Sequence, residues 1–219
     1  MQWPRRRWFS PRKDVAKCCH VVHKSPMLRR ALLLSCLALT ACHHRDLAAQ
    51  DVNIAGMLPP LELSMTDVET GRAVSAADFR GKVTLLYFGY TNCPDVCPAT
   101  LYNVERITQF LGADGGKFQL LFVTVDPDRD TPAVLSQYTT LFGPNVIGLR
   151  GTPDQLDALA KRYRVVFSVV KTPTYEVTHS SAVYVFDAHG KPQFLIAGLD
   201  STNPDFKGIS TDLKSVIDD

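Results

Sequence analysis

The chain has 219 residues, 45% of them hydrophobic, with ordinary glycine and proline usage, enough to bury one full core but not two. Its formal charge of +2 is unevenly divided: residues 1–42 carry nine Lys/Arg against Asp14 alone, and residues 43–219 carry 15 Lys/Arg against 21 Asp/Glu. The basic excess sits in the leader and the acidic body has no Lys/Arg stripe, so nucleic acid is set aside as a partner.

Residues 1–41 read as that leader. Met27-Leu28-Arg29-Arg30 is a short basic region, Ala31 to Leu39 an apolar one, and Leu39-Thr40-Ala41-Cys42 closes with small residues, the order of a secretory signal. The closing tetrapeptide resembles a bacterial lipobox, which predicts cleavage before Cys42 and lipidation of that residue. The expectation is a lipoprotein held on the membrane at the periplasmic, extracytoplasmic side. The apolar run of about a dozen residues is shorter than the roughly 20 that cross a hydrocarbon core. Residues before Met27 are polar, basic and broken by Pro4, Pro11 and Pro26, unlike the start of a secretory signal, so Met27 is a second candidate start. Under either start, cleavage leaves only Cys42, Cys93 and Cys97.

Residues 42–60 lack periodicity and read as a tether, with His43 and His44 solvated. A domain over 61–219 follows. Leu61 to Met65 alternates apolar and polar, Glu69-Thr70-Gly71-Arg72 supplies a turn and Ala73-Val74 returns, which predicts a hairpin ahead of the main fold. Val83 to Gly89 is a near-continuous apolar run, Pro98 to Leu111 has helical spacing, and Phe118 to Val125 is again a buried strand. Buried strands separated by helices imply parallel pairing. Thr131-Pro132 and Thr152-Pro153 each place a capping threonine before a proline, which predicts helices running to about Phe142 and Tyr163. Strands are expected over Val165 to Val170, Ala182 to Phe186 and Phe194 to Ala197, and a closing helix over Asp205 to Ile217.

The chemistry centres on Tyr87-Phe88-Gly89-Tyr90-Thr91-Asn92-Cys93-Pro94-Asp95-Val96-Cys97-Pro98, a buried strand that runs out into a loop and a first helical turn. Residues i and i+4 share a helix face, so both sulfurs can point to one spot beside backbone N–H groups that favour thiolate. Two thiolates there support either a soft-metal site or a reversible Cys93–Cys97 disulfide, and the spacing leaves both open. His179 lies in a loop before a buried strand and would complete a three-donor set suited to Cu(I), and able to hold Cu(II) with a further donor. His189 falls in a turn and reads as solvated.

Three stretches together resemble the Sco/SenC family of copper proteins that assist assembly of cytochrome c oxidase: Tyr87 to Pro98 as quoted, then Val123-Thr124-Val125-Asp126-Pro127-Asp128-Arg129-Asp130-Thr131-Pro132, then His179-Ser180-Ser181. The resemblance implies a thioredoxin-like α/β fold, with a central mixed sheet flanked by helices and an N-terminal β-hairpin. It implies one copper ion per chain held by Cys93, Cys97 and His179, and delivery to the copper A-bearing subunit of cytochrome c oxidase. Other periplasmic copper carriers or thiol reductants would be further partners. The alternative activity is that of a thiol-disulfide oxidoreductase keeping partner cysteines reduced. Asp126, Arg129 and Asp130 match the family's acidic loop, though a turn and a helix cap account for them equally well. Thr178 stands where the family would place an acidic residue before the histidine, which bears on how that ring is oriented.

Overall fold

The computed structural model describes residues 47–49 and 51–218; the leader, Cys42, His43 and His44 lie outside the described residues. Its strands are β1 (Val52–Asn53), β2 (Ser64–Asp67), β3 (Ala73–Ser75), β4 (Val83–Gly89), β5 (Phe118–Thr124), β6 (Val146–Arg150), β7 (Phe167–Val170), β8 (Glu176–His179), β9 (Val183–Phe186) and β10 (Pro192–Ile196). The helices are α1 (Val96–Leu111), α2 (Pro132–Thr140), α3 (Pro153–Tyr163) and α4 (Phe206–Ile217).

Eight strands form one mixed sheet in the order β1-β10-β9-β4-β5-β6-β2-β3. The centre is parallel, β4 on β5 and β5 on β6, and the flanking pairs are antiparallel. This is the expected thioredoxin-like α/β architecture. Every residue of β4 and of β5 is buried, as strands covered on both faces must be. Thr131 and Thr152 cap α2 and α3 as their Thr-Pro pairs predict, each hydroxyl accepting from the amide three residues on.

The differences have local causes. The β2–β3 hairpin forms, but β2 also pairs with β6, so the hairpin is the edge of the main sheet and not a separate unit. Strand β6 was not anticipated because Gly148 interrupts its apolar run; a Cβ there would stand 2.8 Å from a Val68 methyl, so close packing demands the glycine. Strand β1 lies in the stretch read as a tether, where Val52 faces Leu195 on β10. Just before it, the amides of Ala48 and Ala49 donate to the Asp212 carboxylate on α4 at 2.7 and 2.8 Å. Strand β7 begins two residues later than expected because Arg164 takes a left-handed conformation, φ 57°, and the Val165 amide closes α3 on the Ala160 carbonyl. The segment leading to His179 was read as a loop; it is β8, paired with β7 in a separate two-stranded sheet.

Beneath the thiol loop, Phe122 on β5 is fully buried, its ring edge-on to Tyr87 at 5.8 Å and tilted to Tyr138 at 5.7 Å. Truncating it removes the shared floor of β4 and α2. Phe122→Ala is expected to cost about 3–5 kcal/mol, read as a lowered midpoint in urea unfolding.

Candidate metal centre

Strand β4 ends at Gly89, and the chain turns through Tyr90 to Asp95 before α1 begins at Val96. Asp95 occupies the N-cap of α1 but its side chain makes no capping bond. The vacant role falls to Cys93, whose sulfur accepts the Cys97 amide at 3.3 Å. A sulfur at a helix N-terminus meets the positive end of the peptide dipoles, so its anionic form is favoured. Cys97, one turn in, is fully buried, whereas Cys93 is half-buried; both are free thiols.

The buried sulfur is enclosed by three groups. The Tyr87 hydroxyl donates to Cys97 Sγ at 3.6 Å, and His179 Nε2 lies 3.3 Å from it. Gly89 backs the pair: a Cβ there would come within 2.9 Å of the sulfur and 2.7 Å of Phe122, so the strand can end here only in glycine.

His179 is the last residue of β8 and arrives from outside the main sheet. Its Nδ1 lies 3.0 Å from the Ser180 carbonyl, a contact that turns Nε2 toward the sulfurs. Tyr87 and Tyr90 hold the imidazole edge-on, at centroid distances of 6.0 and 5.6 Å. Thr178 is exposed, on the opposite face of β8, so the ring's orientation rests on a backbone carbonyl and does not depend on that side chain. The donor atoms of Cys93, Cys97 and His179 all lie within 4.8 Å of one another, a group that could hold one metal ion. His189 is exposed in the β9–β10 turn, away from this group.

Charge is distributed unevenly across the pair. The Cys93 thiol is drawn down to about 4, first by the hydrogen bond from the Cys97 thiol, then by the Cys97 amide, His179 and the Asp95 amide, against the opposing effect of burial. The Cys97 thiol is pushed well up by that same bond to Cys93 and by burial. The metal-free pair therefore carries one thiolate and one thiol beside the His179 ring. Such a site has a half-exposed nucleophile and a buried resolving thiol, or, once Cys97 loses its proton, two thiolate ligands and an imidazole.

The residues read from sequence as a turn and a cap do more than that. Asp130, fully buried, accepts the Thr91 amide at 3.0 Å, the Thr91 hydroxyl at 2.6 Å and the Thr124 hydroxyl at 2.5 Å, which pins the thiol loop two residues before Cys93. Asp126, 1% exposed, accepts Arg129 Nε at 2.5 Å and the Tyr175 hydroxyl at 2.6 Å. Sequence reasoning places Tyr90 and Thr91 in the thiol stretch and Tyr175 near His179 but gives none of them a role; their only signal is proximity to the ligand candidates. A cavity of about 300 Å³ lies elsewhere, lined by Glu62, Leu63, Gln155, Leu159 and Arg162 among others, and includes none of the three donors.

Two outcomes test this arrangement. In reduced, metal-free protein, iodoacetamide should modify Cys93 before Cys97. Because the Cys93 pKa is lowered to about 4, the rate should hold from neutral pH down to mildly acid pH and fall only as pH approaches that value. Cys97→Ala removes the largest cause and should move the profile up toward an ordinary thiol. Asp130→Ala leaves Thr91 and Thr124 donors unpaired and should destabilise the protein by roughly 1–3 kcal/mol in chemical unfolding.

The SCO1/SenC family model matches residues 64–214. Over 125 residues the chain is 41% identical to protein SCO2 homolog, mitochondrial, of Bos taurus, covering 55% of this chain and 47% of that protein. Over 121 residues it is 40% identical to protein SenC of Rhodobacter capsulatus, covering 54% of this chain and 55% of that one. The chain thus spans about half the length of these curated relatives. The solved structure of Bradyrhizobium japonicum ScoI with copper bound is 33% identical and superposes with a TM-score of 0.63, over 72% of this chain and 98% of that one. With its fold, thiol loop and histidine strand falling within the matched region, the chain belongs to the SCO1/SenC family.

Proposed function

We propose that the protein is a copper metallochaperone that binds one Cu(I) through Cys93, Cys97 and His179 and passes it to the copper A-bearing subunit of cytochrome c oxidase during assembly. The observation that carries this reading is the convergence of two sulfurs and an imidazole nitrogen within 4.8 Å, from the thiol loop with its helix and from the separate β7–β8 sheet. Thiolate and imidazole donors select a soft cation over a hard one. The copper-bound structure of Bradyrhizobium japonicum ScoI, which is 33% identical, supports copper as the cargo. Binding releases the Cys97 proton, so uptake is favoured where that proton can leave to solvent or to the copper donor.

The reading includes a location. Residues 1–41 are removed, Cys42 carries the lipid, and a short stretch after it tethers a domain whose sheet includes β1 at Val52–Asn53, on the periplasmic side of a bacterial membrane. The lipobox-like Leu39-Thr40-Ala41-Cys42 supports it. Among the described residues no helix is long and apolar enough to cross a membrane.

A second reading rests on a separate observation, the contrast between a half-exposed Cys93 thiolate and a buried Cys97 thiol. Cys93 would attack a partner disulfide, and Cys97 would then displace the partner sulfur from the mixed disulfide. The partner gains two electrons, the Cys97 proton and one proton from solvent, and becomes two thiols, while Cys93 and Cys97 become a disulfide. The same pair could in this way keep an oxidase subunit's cysteines reduced before copper arrives.

The experiment is anaerobic titration of the reduced protein with Cu(I) against a competing chelator, for wild type and His179→Ala. One copper per chain is expected in wild type. Removing a ligand should weaken retention by about 100-fold or more, beyond what loss of a supporting contact does. Dithiol exchange with a model disulfide should persist in the variant. A wild type that retains no copper yet cycles its disulfide would overturn delivery in favour of reduction.

A further inference from the structure

Strands β7 and β8 pair only with each other, so no ladder of the main sheet sets where His179 stands. Phe167 and Val177 pack on the core, but apolar contact is non-directional and tolerates sliding. The Tyr90 hydroxyl reaches the Val177 carbonyl only at 3.4 Å, and the Lys171–Asp128 ion pair is exposed and screened. Among the described residues, one directional contact remains that is part-buried and shorter. The Tyr175 hydroxyl donates to Asp126 Oδ1 at 2.6 Å, and the Arg129 guanidinium lies 3.9 Å from the centre of the tyrosine ring while its Nε donates to the other oxygen of the same carboxylate. Asp126 is itself fixed, its amide donating to the Thr124 hydroxyl at 3.0 Å. Tyr175 and His179 are four apart and share the half-buried face of the arm with Val177, whereas Glu176 and Thr178 are exposed. The two side chains thus sit at opposite ends of one face, roughly 13 Å apart along an extended strand.

We propose that Tyr175 is a positioning residue for the donor set: its bond to Asp126, made under Arg129, fixes how the β7–β8 arm lies over the thiol loop and so holds His179 Nε2 against Cys97 Sγ. Its consequence for copper rests on the metallochaperone reading above; its consequence for the arm does not. Tyr175→Phe keeps the ring beneath Arg129 and removes the hydroxyl alone, which makes it the informative variant.

Three measurements on the full chain test this. In metal-free protein, amide exchange in β7 and β8 should accelerate in Tyr175→Phe, while β5 amides exchange as in wild type. In Cu(I) competition the variant should bind about 10–100-fold more weakly. In Cu(II)-loaded protein the sulfur-to-copper absorption should persist while the nitrogen hyperfine signal of the imidazole weakens, a change that general loosening would not produce. Unchanged arm exchange in Tyr175→Phe overturns the proposal, as does acceleration spread equally through β5. Wild-type copper retention with an unchanged nitrogen signal also overturns it. If wild type itself holds no copper, the metallochaperone reading fails, and the exchange comparison alone decides for or against Tyr175.

Discussion

Two carboxylates in the seven-residue loop between β5 and α2 tie together parts of the chain that the main sheet does not. Asp130 takes three hydrogen bonds from Thr91 and Thr124 and so holds the thiol loop to the end of β5. Asp126 takes Arg129 and Tyr175 and so holds the histidine arm to the start of the same loop. A carboxylate removed from water costs several kcal/mol unless its oxygens are hydrogen-bonded, and both of these are. Because each is satisfied only when its partner segment is in place, the burial of the loop and the assembly of the donor set depend on one another. The donors come from two segments more than eighty residues apart, and this loop is where both are fastened.

Within that frame the thiols are distinguished by a single missing cap. The Asp95 carboxylate does not bond the first turn of α1, and the Cys93 sulfur takes the Cys97 amide in its place. One sulfur thereby becomes the anion at a helix N-terminus, and the other, a turn further in, becomes the donor that stabilises it. Three intervening residues are what allow this: the loop is long enough for Cys93 to fold back on the helix that Cys97 belongs to. Gly89 completes the fit from below, since any side chain there would occupy the space of the Cys97 sulfur.

Much of this was legible in the sequence, and the remainder was not for identifiable reasons. The buried parallel strands announced themselves as unbroken apolar runs, and the Thr-Pro pairs marked the starts of α2 and α3 within a residue. The thiol loop and His179 stood out by residue type. The role of Asp126 and Asp130 did not, because a turn-and-cap reading already accounted for acids beside proline, and burial of a carboxylate leaves no mark in a single sequence. Strands β1, β6 and β8 were missed because two are only two and four residues long and the third is broken by Gly148, so none carries enough alternation to be seen. The role of Tyr175 was invisible for a different reason: it lies in a contact with a residue 49 positions earlier in the chain.

The geometry also bears on how the two proposed chemistries, metal and thiol, would share one site. The proton on Cys97 is the point of divergence. While it stays, it stabilises the Cys93 thiolate, and the pair is poised to attack a disulfide. If a soft cation displaces it, both sulfurs are free to act as ligands and His179, its Nδ1 turned to the Ser180 carbonyl, presents Nε2 to complete the set. Oxidation to a Cys93–Cys97 disulfide would remove both thiolates at once and with them two of the three proposed ligands. On the metallochaperone reading, metal retention would be conditional on the pair being reduced, and release could be driven by taking its electrons. A fixed histidine would be needed only to hold the metal. That asymmetry explains why the arm carrying it can be built as an appendage, fastened by side chains, while the cysteines are built into the end of the central strand and the helix that follows.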